Sequence, residues 1–267
     1  FPRKLGGVKG DLVHGNVLKN QKQLSKTSRL EPLVIGLFGQ PGMGKSSRIP
    51  EILHHLSKLF PGVKRSELTY SRTCNVDHWD GYKGQPITIL DDIGQSLEGK
   101  DIKEFQTLVS CNPYVLPMAD LSDKGERFTS PIIIATSNLQ YGQTLTSIYK
   151  DSNGILDDAS FWRRFHIPLY VEDNQLYRLK EEPLWIRPSN LLMRPGLTRD
   201  PSRSTTFDFS RLYYQRKALF QGPPTDSRHL SSYLQDNWSR CESDFLPKIC
   251  GVFENRKRYH ANIDSTW

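Results

Sequence analysis

Gly39-Gln40-Pro41-Gly42-Met43-Gly44-Lys45-Ser46 fills every position of the pattern GxxxxGK[ST]. Its glycines let the backbone curl until several N–H groups converge on one point, a geometry suited to phosphate. A helix following the loop would add the positive end of its dipole. Lys45 then has the charge and reach to meet terminal phosphates, and the Ser46 hydroxyl suits Mg2+. The nucleotide-binding set expected from this motif runs Gly39, Gln40, Pro41, Gly42, Met43, Gly44, Lys45, Ser46 and Ser47. A chance glycine turn is the alternative; the strand-like run Leu33–Phe38 directly before the loop argues against it. Pro50 falls early in the expected helix and should cost it a backbone hydrogen bond or bend it.

Two further strand-like runs end in polar groups. Ile87-Thr88-Ile89-Leu90 runs into Asp91-Asp92, and Ile132-Ile133-Ile134-Ala135-Thr136 runs into Ser137-Asn138. In a parallel sheet the carboxyl ends of strands face the ligand crevice, which puts both beside the phosphate loop. There Asp91 would hold Mg2+ together with Ser46, and Asp92 would act as general base toward a water. The Asn138 amide would hydrogen-bond that water or the γ-phosphate. Each is also compatible with a plain turn. Arg163 and Arg164 stand in an aromatic frame, Phe161-Trp162-Arg163-Arg164-Phe165. Guanidiniums so placed can stabilise charge developing on a transferred phosphoryl group, or pair with Asp157 or Asp158. The sequence leaves open which of the two is the finger. The catalytic set is therefore Lys45, Asp91, Asp92, Asn138, Arg163 and Arg164.

The elements that must position these groups alternate strand and helix. Short strands are expected at Leu33–Phe38, Leu68–Tyr70, Pro86–Leu90, Pro131–Thr136 and Arg164–Val171, and a helix over Lys100–Ser110 with Ile102, Phe105, Leu108 and Val109 on one side. Alternation of this kind predicts an α/β fold, a parallel sheet with crossover helices. Beyond Glu172 the order is less legible, with prolines at 183, 188, 195, 201, 223 and 224 and a helical look over His229–Trp238. The expected division is an N-terminal extension (1–30), an ATPase domain (31–171) and a small irregular or helical C-terminal subdomain or oligomerisation arm (172–267).

Composition agrees with a globular protein, since an aromatic content of 10% is more than disordered chains carry. Lys and Arg exceed Asp and Glu by 36 to 29, a net charge of +7, which fits a polyanionic partner or a solvated basic surface. The four cysteines form no CxxC pair and lack His at zinc-finger spacing, which argues against a zinc site and a disulfide framework. No apolar run is long enough to span a bilayer, and no cleavable signal peptide is apparent. The first residue is Phe1 rather than Met, as expected of a polyprotein product or an excised fragment.

The segments linking these motifs carry a resemblance. Ser28-Arg29-Leu30-Glu31-Pro32, Asp77-His78-Trp79-Asp80-Gly81-Tyr82-Lys83 and the run from Pro117 to Ser130 resemble the 2C-type ATPases of picornaviruses and related positive-strand RNA viruses. Those proteins are superfamily 3 helicases, a branch of the AAA+ phosphate-loop NTPases. The resemblance covers roughly residues 28–170, with order and spacing in agreement. It implies an AAA+-like fold, ATP as substrate with Mg2+, single-stranded viral RNA as partner, and a hexameric ring with arginine fingers acting in trans. It also implies other viral replication proteins as partners and host cytoplasm, at membrane-associated replication sites, as the location. Residues 1–30 show no convincing membrane-binding helix, and Cys241 and Cys250 alone cannot supply the zinc finger that many members carry.

RNA contacts should use cations for phosphate and aromatic faces for stacking. His78, Trp79, Tyr82 and Lys83 offer both in the loop where such rings place a pore loop; Lys124 and Arg127 form a second candidate. Trp79 and Tyr82 are equally suited to core packing, and Lys124 to a solvated turn. Two other functions remain compatible with the motifs: a phosphate-loop kinase, and an RNA-binding scaffold with residual nucleotide affinity.

Overall fold

Leu33–Phe38 forms β1, and all six residues are buried. Successive side chains leave a strand on opposite faces. Val34 and Phe38 accordingly enter one apolar cluster, and Leu33, Ile35 and Leu37 another. A strand covered on both faces reads as a continuous hydrophobic run, which accounts for the composition of β1 and of β4 (Ile132–Ser137).

The computed structural model describes residues 29–73, 76–96, 99–142, 145, 158–180 and 238–264. After β1 come α1 (Lys45–Leu56), β2 (Thr69–Thr73), β3 (Ile87–Asp91), α2 (Lys100–Leu108), β4, α3 (Asp158–Trp162), β5 (Ile167–Glu172), β6 (Gln175–Leu179), β7 (Trp238–Arg240) and α4 (Phe245–Asp264). The seven strands make one sheet in the order β2-β3-β4-β1-β5-β6-β7. From β2 to β5 all neighbours run parallel; β6 and β7 extend the edge antiparallel. This is the α/β architecture of a phosphate-loop NTPase. It sets β1 between β4 and β5, with β3 next to β4, so the carboxyl ends of β1, β4 and β3 lie side by side.

One face of the sheet is packed by aromatics. Phe38 meets Phe165, Tyr141 and Trp162 with ring centroids 4.9, 5.2 and 5.9 Å away. Each such pair contributes about 0.5–1.5 kcal/mol beyond the area it buries. A Cβ on Gly36 would lie 2.6 Å from the rings of both Phe165 and Phe38, so glycine at this point of β1 makes room for the pair. On the other face α1 lays Ile49, Ile52 and Leu56 against the sheet, and α4 adds Leu246, Ile249 and Phe253 to the same cluster. The boundary expected between residues 171 and 172 thus falls within the β5–β6 hairpin. Beyond it, β6, β7 and α4 share the sheet and its core.

A buried polar network fastens α4 to the start of β1. His166 accepts a hydrogen bond from the Val34 amide at Nδ1 (3.0 Å) and pairs through Nε2 with Glu31 (3.0 Å). Arg256 of α4 donates to the same Glu31 carboxylate (2.6 Å). Because Nδ1 accepts, the proton sits on Nε2 and the ring is neutral. Burial, reinforced by the charge of Arg256, lowers His166 to about 4. Burial pushes Glu31 upward, but its hydrogen bond from His166 and the charge of Arg256 outweigh that and hold it at about 2. A base whose folded value lies below its ordinary 6.5 is protonated first in the unfolded chain, so stability falls as pH drops from 6.5 toward 4. Glu31 contributes stability above its ordinary 4.5 that is lost as pH falls toward 2. The melting temperature should be flat near neutrality and decline below pH 6.5. His166→Gln should lower it at neutral pH and remove the limb between 6.5 and 4 in thermal melts.

Several element limits differ from those expected. β2 begins at Thr69 and runs on to Thr73, paired along its length with β3. The alternation starting at Arg164 becomes a strand only at Ile167. Arg164 and Phe165 instead close the turn after α3, their amides bonding Phe161 and Trp162 carbonyls. Trp238 opens β7 rather than ending a helix; 229–237 lie outside the described residues, as do 1–28 and the proline-rich stretch 181–225. α1 passes through Pro50 unbroken, because Pro50 and the Ser46 carbonyl it cannot serve lie on the exposed side of the first turns.

Candidate active site

The chain leaves β1 through Gly39, Gly42 and Gly44, all at positive φ (150°, 85° and 88°). Gly44 caps α1 in the left-handed conformation, which costs glycine nothing and other residues strain. At Gly39 a Cβ would stand 2.5 Å from the Val171 carbonyl oxygen of β5, so the loop starts hard against the neighbouring strand. Lys45, the first residue of α1, is buried, and its ammonium points back under the loop. It donates to the carbonyls of Gly39 (2.8 Å) and Gln40 (3.0 Å) and to Asn138 Oδ1 (2.6 Å). Burial pulls its pKa below the ordinary lysine value, against the opposing pull of Asp92 and Asp91. Gln40, Pro41, Gly42, Ser46 and Ser47 are exposed, and Met43 is half-buried.

Asn138, just past β4, bridges the loop and the acidic pair. Its carbonyl oxygen faces the Lys45 ammonium, and its amide nitrogen donates to Asp92 Oδ1 (3.4 Å). Each end of the amide meets the polarity it requires. Asp91 ends β3, and Asp92 turns the chain sharply with φ 51°, a conformation Asp tolerates better than most residues. Both aspartates are held by a residue that the sequence did not single out. Thr136, fully buried on β4, donates to Asp91 Oδ1 (2.7 Å) and accepts the Asp92 amide (2.8 Å). A threonine inside a buried strand reads as β-propensity, so only the register of β3 against β4 reveals it. Ser137 similarly fixes the turn after β3 by donating to the Ile93 carbonyl (2.6 Å).

Carboxylate and hydroxyl oxygens are the hard donors that Mg2+ takes, usually alongside phosphate and water. Asp91 is half-exposed with one oxygen steadied by Thr136, and Ser46 is exposed. These residues fit that ion.

The two arginines differ. Arg164 is half-buried and spends its guanidinium on main chain: it donates to the Gln106 (3.2 Å) and Val109 (3.3 Å) carbonyls at the end of α2, and to that of Ser160. Arg163 is exposed.

The proposed RNA contacts also divide. Trp79 and Tyr82 have no exposed surface. Trp79 stacks on Tyr70 (5.4 Å), lies under the Arg72 guanidinium (4.5 Å) and donates from Nε1 to Glu104 (2.8 Å). The Tyr82 hydroxyl accepts the amides of Thr129 (2.8 Å) and Ser130 (3.0 Å). Neither ring can stack on a base in this arrangement: of the two readings the sequence allowed for them, burial matches core packing, and their large apolar area holds the loop to the sheet edge. They join the loop 77–83 to the hairpin around Val115–Arg127, and Lys83 pairs across the two with Asp123 (2.9 Å). The two candidate segments are therefore neighbours. His78, Lys83 and Lys124 are exposed there, and Arg127 is half-buried.

With that geometry in view, residues 35–139 match the RNA helicase family. Over 115 residues the chain is 46% identical to the genome polyprotein of Cosavirus A (isolate Human/Pakistan/0553/-). That stretch covers 43% of this chain and 5% of the polyprotein. The matched segment, from within β1 to the residue after Asn138, is similar to RNA helicases of superfamily 3 and to the corresponding stretch of a picornavirus polyprotein. Among the described residues no helix is long and apolar enough to cross a membrane.

Proposed function

We propose that this chain is an RNA-directed, ATP-hydrolysing helicase or remodelling ATPase of viral genome replication, working as a ring with arginine fingers in trans. The observation that carries the proposal is the continuous chain Lys45–Asn138–Asp92, with Asp91 tied to the same strand by Thr136. It joins the charge that meets terminal phosphates to the carboxylate that would take a proton from water.

In this mechanism the loop amides and the α1 N-terminus bind the phosphates, and Lys45 exchanges the carbonyls of Gly39 and Gln40 for phosphate oxygens. Mg2+, when bound, neutralises charge on the β- and γ-phosphates; Ser46 and Asp91 would hold it. Asn138 orients the attacking water, and Asp92 accepts its proton. Arg163, exposed and adjacent to the α2–α3 core, reaches the site of the neighbouring subunit. Arg164 shapes the segment that presents it. RNA meets His78, Lys83, Lys124 and Arg127 on the joined loop and hairpin. Trp79 and Tyr82 support that surface from within. The setting proposed is host cytoplasm at membrane-associated replication sites, with other viral replication proteins. The ATPase domain spans residues 31–171 together with β6, β7 and α4, which complete its sheet and core, and the part from 172 onward also contributes to assembly.

ATP turnover should rise steeply with protein concentration and increase again with single-stranded RNA. Arg163→Ala subunits mixed into wild-type should depress the rate more than dilution does, since each inactivates a neighbour. Arg164→Ala should instead lower the melting temperature, because it uncovers the α2 carbonyls. A rate per subunit independent of concentration, with simple dilution on mixing, would count against the ring.

A further inference from the structure

The hairpin turn between β5 and β6 touches the phosphate loop, although it lies far from the loop in sequence and none of the recognised motifs includes it. Asp173 and Asn174 both have positive φ (46° and 58°), the two-residue turn that the twist of paired strands favours. Glu172 and Gln175 flank it as the last pair of the ladder. The Asn174 amide donates to the Met43 carbonyl (3.1 Å). Its side-chain oxygen accepts from Ser47 Oγ (2.7 Å), which also contacts the Gly44 carbonyl (2.7 Å). A Cβ on Gly44 would come within 3.1 Å of Asn174 Oδ1 and 3.4 Å of its Cα.

We infer that Asn174 is a positioning residue for the phosphate loop. The inference rests on the nucleotide-binding role proposed above. A peptide unit is planar and trans, so its C=O and N–H point in opposite directions. Tying the Met43 carbonyl to the hairpin turn therefore aims the Gly44 N–H away from the turn, toward the concave side of the loop. There it becomes one of the donors available to a phosphate. The Asn174 side chain keeps the turn in register through Ser47 and the first turn of α1. Asn suits the post because it tolerates the left-handed conformation and still offers an acceptor. Loosening this tie should leave the reacting groups in place and blunt the preorganised amides, so ground-state affinity should suffer more than the chemical step.

The test compares the full chain with Asn174→Gly, which keeps the backbone amide and accommodates positive φ while deleting the side chain. Mg2+-ADP affinity by calorimetry should weaken by about five- to tenfold and the KM for ATP should rise in parallel, with kcat within about twofold. The melting temperature without nucleotide should stay the same, and the stabilisation given by saturating ADP should shrink. Ser47→Ala removes the same contact from the other side, so the double variant should be no weaker than the weaker single. Unchanged affinity in Asn174→Gly, additive losses, or a fall in kcat at constant KM would each overturn the inference. So would a loss confined to the nucleotide-free melting temperature. Lys45→Ala measured alongside separates the two proposals: if wild-type itself shows no Mg2+-ADP binding, the nucleotide reading fails, and if only Asn174→Gly behaves as wild-type, the positioning role alone fails.

Discussion

Lys45→Ala should reduce ATP turnover by at least about 10²–10³-fold, because it removes a preorganised cation from the place where negative charge gathers on the transferred phosphoryl group. The rest of the molecule should tolerate the change. The ammonium bonds two carbonyls of its own loop and one amide, and its pKa is drawn down by burial, so deleting it also deletes a desolvation cost. Melting temperature should consequently shift by only a few degrees, a change of about 1 kcal/mol. Lys45→Arg should rescue little, because a planar fork cannot occupy the pocket between Gly39, Gln40 and Asn138 as a compact ammonium does. Phosphate release and thermal melts on the same preparations decide the matter. Turnover near wild-type in Lys45→Ala would remove the basis for assigning hydrolysis to this loop.

What the sequence made legible follows from what local patterns encode. The phosphate loop, the strand ends carrying Asp91 and Asn138, and the parallel sheet all arise from short-range signals: glycine spacing, continuous apolar runs on doubly covered strands, and crossover connections. Groups that act through register were invisible. Thr136 matters because β4 lies beside β3 and their ladder sets its hydroxyl between two aspartates; Asn174 matters because β5 neighbours β1 and carries a two-residue turn onto Gly44. The distinction between Arg163 and Arg164 also needed three dimensions, since the end of α2 supplies the carbonyls that occupy one and leave the other exposed. Trp79 and Tyr82 show the opposite limit. An aromatic beside a Lys and a His has the composition of a stacking platform, yet a sheet edge with Tyr70, Phe128 and Glu104 absorbs both rings. The C-terminal part was obscured by prolines between 183 and 224, while the strands and helix that complete the sheet and its core lie on either side of them.

Asp92→Asn should separate binding from chemistry more cleanly than any other single change at this site. Asn accepts a positive φ as readily as Asp, so the turn after β3 is retained, and the backbone amide still meets Thr136 Oγ1. The side chain stays isosteric, and its remaining carbonyl oxygen can still accept from the Asn138 amide nitrogen, which leaves Asn138 Oδ1 on Lys45. What disappears is the capacity to take a proton from water. Hydrolysis should fall by about 10²–10⁴-fold while Mg2+-nucleotide affinity stays within about threefold. Asp91→Asn should behave differently. It weakens a hard anionic donor, so loss of turnover should be accompanied by a raised Mg2+ requirement, partly recoverable at high Mg2+. Thr136→Val, which releases the Asp91 carboxylate and the Asp92 main-chain amide at once while keeping the strand's volume, should combine the two signatures in milder form. The contrast follows from position alone: Asp91 is anchored on β4 through its side chain, and Asp92 through its main chain, leaving its carboxylate toward Asn138 and the phosphate loop. If Asp92→Asn hydrolyses ATP at the wild-type rate, the proton acceptor lies elsewhere and the pairing of Asp92 with Asn138 is structural.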